Sequence, residues 1–287
     1  MSEPNGVLSE PKGVLVDISK CFGCRSCAIA CKAWNELPTD KTDISSDWDA
    51  PGKPDAYKWT YVTHNLIEKD DEIKWRFAKR QCMHCVEPAC ASACFTASFT
   101  KSKEGAVIYK PTEPSIAKDY CVGCRYCMVA CPFGVPTFQW DKPLPFVQKC
   151  RFCYDRILDG TTPACVTACP SGCLKYGERE ELLQEAKQRI SSDSKYVDHV
   201  YGEKEYGGTS WMYISDVPFE ELGFKMGVTE RSIPSLTWQV LRWTPYIFVG
   251  WGAILTALRL YTKKPGEADH DDMYEAVNTI EDKNNEE

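Results

Sequence analysis

Seventeen cysteines are the feature that most constrains this chain of 287 residues, because sixteen of them fall into four groups of four. The first and third groups share the spacing C-x2-C-x2-C-x3-C. Their segments, CFGCRSCAIAC at 21–31 and CVGCRYCMVAC at 121–131, are identical at seven of eleven positions, which indicates an internal duplication. In chain order the groups are Cys21, Cys24, Cys27 and Cys31; Cys82, Cys85, Cys90 and Cys94; Cys121, Cys124, Cys127 and Cys131; and Cys150, Cys153, Cys165 and Cys169.

The repeated spacing is typical of proteins that bind [4Fe-4S] clusters through four thiolates each. Three closely spaced cysteines wrap around one cluster, and in two-cluster ferredoxins the last cysteine of each run binds the other cluster. Cys31 and Cys131 occupy that last position, and Pro132 follows Cys131 as it does in the bacterial run. The sixteen cysteines therefore predict four [4Fe-4S] clusters.

Two other uses of cysteine compete with this interpretation. Disulfides would leave an odd thiol and give no reason for the repeated spacing, and residues 1–13 predict no signal peptide for export to an oxidising compartment. Zinc sites use two pairs of ligands, so a third cysteine at the same interval in both repeats has no role there. The group at 150–169, considered alone, stays compatible with zinc, and a zinc-stabilised scaffold is the distant alternative function.

Four further residues near the groups have alternative interpretations. His84 could be a cluster ligand, but each group already supplies a full set of cysteines, so a surface or second-shell position is expected. Cys173 follows the last group by one helical turn and is expected to be a small buried apolar residue. Arg25 and Arg125 follow the second cysteine of each repeat, where each either offsets cluster charge or is solvated.

The sequence also predicts several regular elements. Alternating apolar and polar residues at 57–67 and 73–78, separated by the turn-forming EKDDE, predict a β-hairpin. Short strands are expected at 106–110 and 211–215. Residues 179–190 place Leu183 and later apolar residues at helical spacing between charges, which predicts a surface helix.

Charge excludes one class of partner. The formal net charge is −7, and residues 265–287 alone carry nine acidic residues against one lysine. The rest of the chain is therefore near neutral, and no basic surface for nucleic acid is predicted. The acidic segment is expected to be a flexible tail.

Residues 236–261 predict a transmembrane helix. Their only charges are Arg242 and Arg259, near the two ends, and aromatic residues stand at both expected interfaces. Pro245 is compatible with the first turn of such a helix, which would leave a span at the lower length limit. Burial against another subunit is the alternative. Basic residues on the two flanks balance, so the positive-inside rule assigns no orientation.

The complete pattern resembles the four-cluster iron-sulfur subunits of respiratory molybdopterin oxidoreductases, especially the beta subunits of membrane-bound formate dehydrogenases. The order of all four cysteine groups carries the resemblance, together with KAWNELP after the first group, CMHC in the second, CPFGVP in the third and YGG-T--MY at 206–213. It covers nearly the whole chain.

This resemblance implies an α+β fold of two fused ferredoxin-like domains with a hairpin insertion and one C-terminal transmembrane helix. The first domain would comprise 1–31 and 145–235, and 32–144 would hold the hairpin and the second domain. A membrane anchor at 236–264 and the acidic tail at 265–287 would follow. The implied ligand sets are Cys21, Cys24, Cys27 and Cys169; Cys31, Cys150, Cys153 and Cys165; Cys82, Cys85, Cys90 and Cys131; and Cys94, Cys121, Cys124 and Cys127.

The implied function is a non-catalytic relay of electrons from a molybdopterin subunit toward a membrane acceptor. Expected partners are that catalytic subunit, a membrane-integral subunit and the lipid bilayer. The expected location is the cytoplasmic membrane, with the cluster domain on the extracytoplasmic face. Similar subunits serve membrane [NiFe]-hydrogenases, so a hydrogenase relay is the alternative, and the electron donor is not fixed by this chain.

Overall fold

The computed structural model describes residues 11–38, 54–69, 72–110, 121–143 and 145–262. The chain divides into two compact units, Met1–Leu236 and Thr237–Glu287. The strands are β1 (Lys12–Asp17), β2 (Tyr61–Lys69), β3 (Glu72–Arg80), β4 (Phe99–Lys101), β5 (Val107–Tyr109), β6 (Thr137–Phe138), β7 (Val147–Gln148), β8 (Leu174–Glu178) and β9 (Trp211–Ile214). The helices are α1 (Ser26–Trp34), α2 (Ala89–Ser92), α3 (Tyr126–Ala130), α4 (Tyr154–Leu158), α5 (Ala164–Thr167), α6 (Arg179–Ser192), α7 (Ile233–Leu241) and α8 (Thr244–Thr262).

A three-stranded sheet joins distant parts of the first unit. β1 lies in its centre, antiparallel to β8 and parallel to β9, and Val14 pairs with Tyr176 on one side and Trp211 on the other. Residues 14–16 of β1 are at most 1% exposed. Because both faces of the sheet are covered, β1 is a continuous apolar run rather than an alternating one.

The two faces of this sheet border different cores. On one face, Leu15 and Met212 pack with Leu182, Leu183 and Ala186 of α6. The predicted surface helix is therefore confirmed, and its apolar side covers the sheet. The other face contributes to the larger core, which also contains several cysteines from the first and fourth groups.

The predicted hairpin is confirmed as β2 and β3, which pair antiparallel with Tyr61 opposite Arg80. Residues 70–71 at its turn lie outside the described residues. Arg76 Nε donates to Asp216 Oδ1 at 2.8 Å, and Arg80 donates to the Leu222 carbonyl at 2.6 Å. These side-chain bonds attach the second strand of the hairpin to the segment after β9. The strands predicted at 106–110 and 211–215 are also confirmed, as β5 and β9.

The two sequence repeats share a backbone conformation and then diverge. Arg25 and Arg125 both adopt left-handed φ angles, 60° and 64°, immediately before α1 and α3. α3 ends at Ala130 because Pro132 forces the preceding residue, Cys131, into an extended conformation. The first repeat has no proline at this point, and α1 continues to Trp34.

The structure has two helices over 236–261, so the predicted helix is found only over the shorter span that begins near Pro245. Pro245 lacks an N–H, and its ring would clash with the carbonyl of Leu241, where α7 ends. α8 then starts at Thr244, which places Pro245 in its first turn as the sequence predicts. Among the described residues, no helix is both long enough and apolar enough to cross a membrane. The acidic tail at 265–287 lies outside the described residues.

The tight packing beside β9 yields a stability prediction at Gly202. This residue has φ +97°, and an added Cβ would lie 2.3 Å from the Trp211 carbonyl oxygen. Gly227 also has a positive φ, +66°, but has nothing within 4 Å of that position. Gly202→Ala should therefore lower the free energy of unfolding by about 1–3 kcal/mol more than Gly227→Ala. Thermal melting of both variants measures the difference, and equal melting temperatures would contradict the packing described here.

Candidate metal centre

Two small cavities in the first unit are lined by cysteines from distant parts of the sequence. Cavity 1 is lined by four cysteines, here called quartet 1, together with Cys173, Arg25 and Lys79. Cavity 2 is lined by quartet 2 together with Lys79 and Trp211. Quartet 1 is Cys21, Cys24, Cys27 and Cys169, and quartet 2 is Cys31, Cys150, Cys153 and Cys165. The structure thus gathers around each cavity the four cysteines that the family resemblance implies for one cluster.

Helix packing brings these quartets together. Cys27 and Cys31 lie one turn apart on α1 and are both buried. Residues four apart share one helix face, yet these two side chains line different cavities. α1 packs against α5, which carries Cys165. The first and fourth cysteine groups are joined by this contact.

The second and third cysteine groups form an equivalent arrangement. α2, which carries Cys90, packs against α3, which carries Cys127. Electrostatic interactions connect Cys85 with Cys82, Cys90 and Cys131, and connect Cys127 with Cys94, Cys121 and Cys124. We call the first of these sets quartet 3 and the second quartet 4. Their members again match the sets implied by the resemblance.

The quartets form a row. Lys79 lines both cavity 1 and cavity 2, so quartets 1 and 2 are neighbours. Quartets 2 and 3 share a small core around Trp59, and quartets 3 and 4 share a core with Phe99. Cys24 in quartet 1 and Cys124 in quartet 4 are exposed. Both ends of the row therefore reach the surface of the first unit.

Burial makes the most enclosed thiols of the quartets poor acids. It raises the pKa of Cys27 to about 11 and that of Cys31 to about 12, and neighbouring cysteines add to both shifts while Lys79 opposes them. Burial likewise raises the pKa of Cys127 to about 12. Four adjacent thiolates consequently require a cationic group between them, and binding such a group releases the protons.

The donor set fits an iron-sulfur cluster. Each [4Fe-4S] cluster is held by four cysteine thiolates, which is the number in each quartet. Among the described residues, no three His, Cys, Asp or Glu side chains are placed to hold a single metal ion.

Cys173 is more closely connected to the site than its sequence position indicates. It is buried as expected, but its Sγ lies 3.5 Å from Cys169 Sγ. A hydrogen bond with Cys173 lowers the pKa of Cys21 to about 7, while that of Cys173 is raised. The extra cysteine therefore forms hydrogen bonds with two members of quartet 1. Apart from its spacing to Cys169, no sequence pattern indicates this contact.

His84 is fully buried, so the surface alternative for this residue is wrong. Its Nδ1 accepts a hydrogen bond from the Val107 N–H at 2.9 Å, and its ring stacks on Phe152 at 4.8 Å. Burial, followed by nearby lysines, holds its pKa well below the usual value. The neutral ring is therefore enclosed by Val107 and Phe152 in the interior of the first unit.

The two repeat arginines differ in their surroundings. Arg25 lines cavity 1, and its Nη2 lies 3.1 Å from His64 Nε2. Arg125 is exposed and stacks over Trp140 at 5.0 Å. A charge-offsetting position is therefore observed for Arg25, and a solvated one for Arg125. The buried cation Lys79, which sequence reasoning missed, lies beside two quartets at once.

Comparison with known proteins identifies similar chains. Residues 73–179 match the family described as 4Fe-4S dicluster domain. A protein of Nitratidesulfovibrio vulgaris is 42% identical over 92% of this chain and 70% of its own length. The hydrogenase-2 operon protein HybA of Escherichia coli O157:H7 is 35% identical over 73% of this chain and 71% of its own. The formate dehydrogenase-O iron-sulfur subunit of Escherichia coli K12 is 31% identical over 85% of this chain and 80% of its own.

The position of Cys173 outside the quartets leads to a paired test of the site. Cys27→Ser removes a member of quartet 1, so the chain should lose about four of roughly sixteen iron atoms. Cys173→Ser changes a residue outside the quartets and keeps a hydrogen-bonding group there, so this variant should keep the full iron content. Elemental analysis of both variants beside the unaltered chain measures this, and equal iron loss from both would contradict the quartets.

Proposed function

Because this chain belongs to the family of iron-sulfur electron-transfer subunits that includes those of formate dehydrogenases and HybA, we propose that it relays electrons through four [4Fe-4S] clusters. Quartets 1 to 4 each hold one cluster. The chain performs no substrate chemistry of its own and acts as the relay subunit of a larger oxidoreductase complex.

The observation that carries this proposal is the row of quartets with an exposed cysteine at each end. Quartet 2 is buried throughout, whereas Cys24 and Cys124 at the two ends are exposed. Each neighbouring pair of quartets shares a lining residue or a core. Such a row lets electrons enter at one surface and leave at another.

The protein's residues set the conditions for this transfer. Each bound cluster supplies one-electron redox chemistry. The apolar cores around Trp59 and Phe99 exclude water between neighbouring quartets. Lys79 and Arg25 place positive charge beside cysteines that must remain ionised as ligands.

The same contacts support the domain division. α1 with α5, and the sheet of β1, β8 and β9, unite 1–31 with 145–235. The hairpin and the α2–α3 pair occupy 32–144. We propose that these are two ferredoxin-like domains with two clusters each. The first would carry quartets 1 and 2, and the second would carry quartets 3 and 4.

The proposed electron donor is a molybdopterin subunit of the formate dehydrogenase type. Several relatives are iron-sulfur subunits of formate dehydrogenases, and the motifs around the cysteine groups resemble theirs most. The similarity to HybA supports the alternative, a relay in a hydrogenase complex. A membrane-integral subunit is the proposed next acceptor.

Substrate-dependent reduction distinguishes the two donors. The complex should be purified anaerobically from native membranes and treated in parallel with formate and with hydrogen. We expect formate to bleach the visible cluster absorption and hydrogen to leave it unchanged, with a molybdopterin subunit identified by mass spectrometry. Bleaching by hydrogen alone, with a nickel subunit present, would establish the alternative.

We further propose that the complex lies at the cytoplasmic membrane with the cluster-binding unit on the extracytoplasmic face. The resemblance to formate dehydrogenase beta subunits supports the orientation. The exposed apolar side chains of α8, among them Phe248, Val249 and Leu260, support contact with lipid or with a membrane-integral subunit. α8 would then be the membrane anchor of this chain.

Protease treatment of intact spheroplasts tests this orientation. Protease should digest the first unit of the chain, because that unit faces the outside, while a cytoplasmic marker enzyme stays intact. Detergent-lysed spheroplasts provide the control for susceptibility. Protection of the first unit in intact spheroplasts and its digestion after lysis would place it in the cytoplasm.

A further inference from the structure

Lys79 is a buried cation between two cysteine quartets. It lies on β3, one residue before the strand ends, and is 2% exposed. Its side chain lines both cavity 1 and cavity 2. Lysine is almost never fully buried unless it is paired, so this position requires a physical explanation.

Hydrogen bonds fix the ammonium group in this position. Lys79 Nζ donates to Gln81 Oε1 at 2.8 Å, and Gln81 Nε2 donates to the Tyr213 hydroxyl at 2.7 Å. The Tyr213 hydroxyl in turn donates to the Lys79 carbonyl at 3.0 Å. All three residues are buried, and a closed network of this kind holds the side chain in one conformation.

The Lys79 ammonium has no carboxylate partner among the described residues. Within the described part of the chain, no Asp or Glu forms an ion pair with Lys79. The ammonium lies 4.3 Å from the centroid of the Trp211 ring, which provides a cation–π contact only. The acidic groups around it are Cys27, Cys150 and Cys165, with the Tyr213 hydroxyl. An isolated buried charge is costly, so its compensating negative charge must come from the quartets.

We propose that Lys79 raises the reduction potentials of the two clusters held by quartets 1 and 2. The inference rests on the proposed function, since it requires clusters in those quartets. One electron entering either site adds one negative charge, with no proton taken up and no bond formed. A fixed positive charge beside both sites stabilises that reduced state. Lys79 thereby favours the presence of electrons in the first half of the row.

Lys101 provides a control lysine that lies beside a different quartet. Its Nζ donates to the His84 carbonyl at 3.0 Å and to the Gly105 carbonyl at 2.7 Å. It interacts with Cys85 and Cys82 of quartet 3, and it lines neither cavity 1 nor cavity 2. Removing this charge should act on a different cluster from those affected by Lys79.

The test is a redox titration of the full-length chain with dithionite as reductant. Electron paramagnetic resonance measures how much of each cluster is reduced. Lys79→Met removes the charge but nearly keeps the shape, so two of the four midpoint potentials should fall. We expect at least a tenfold loss in the equilibrium constant for reduction, about 59 mV for a one-electron couple. Lys79→Arg should keep both potentials near those of the unaltered chain. Lys101→Met should instead change the potential of the cluster in quartet 3.

Unchanged potentials in Lys79→Met, or equal shifts in Lys79→Met and Lys79→Arg, would overturn the proposal. If Lys79→Met fails to bind its full iron content, Gln81→Glu is measured instead, because it places a carboxylate against the ammonium with little change of shape. Both potentials should fall in the Gln81→Glu variant. Unchanged potentials there would also overturn the proposal. If the unaltered chain binds no clusters, the proposed function itself is wrong. If the variants bind all their clusters but the potentials do not change, only the role of Lys79 is wrong.

Discussion

Burial of many thiol groups beside one another is the constraint on which the rest of this structure depends. The quartets draw their members from segments up to about 150 residues apart, as Cys21 and Cys169 in quartet 1 illustrate. Ordering such distant segments carries an entropic cost, and raised pKa values show that the bare site disfavours thiolates. In the proposed holoprotein, cluster binding offsets both costs. Metal binding and folding are therefore coupled.

The duplicated sequence supplies this architecture twice, with one local difference. Each repeat enters its helix through an arginine in the left-handed conformation. Pro132 then shortens α3, whereas α1 continues to Trp34. In both repeats the last two cysteines belong to different quartets. The hairpin adds Lys79, whose ammonium lies between cavities 1 and 2. The hairpin insertion thus places a positive charge between two cavities whose cysteines come from other parts of the chain.

Much of the fold was predictable where one local pattern determines it. The alternation in β2 and β3, the apolar spacing in α6 and the aromatic run of β9 all gave correct elements. The short strands β4, β6 and β7 carry no comparable period, and tertiary packing alone establishes them. Hydropathy averages over Pro245 and so predicts one helix over 236–261, whereas the proline itself indicates the shorter helix that begins at Thr244.

For the candidate site, the sequence predicted the ligands but not their grouping. Spacing alone predicted which cysteines are cluster ligands, but not which four meet, because the fourth member of each quartet comes from another group. The family resemblance supplied those sets, and the structure gathers them. The contact of Cys173 with Cys169 and the burial of Lys79 had no sequence signal, since lysine is ordinarily a surface residue and only the packing of β3 against the quartets encloses it.

The count of clusters per chain is the most direct test of this account. Iron, acid-labile sulfide and zinc should be quantified together with the electron paramagnetic resonance spin count of the dithionite-reduced chain. Four clusters predict roughly sixteen iron and sixteen sulfide per chain, with spectra broadened by interaction between neighbouring spins. Stoichiometric zinc without iron, or iron for only two clusters in a fully folded chain, would contradict a continuous four-cluster relay.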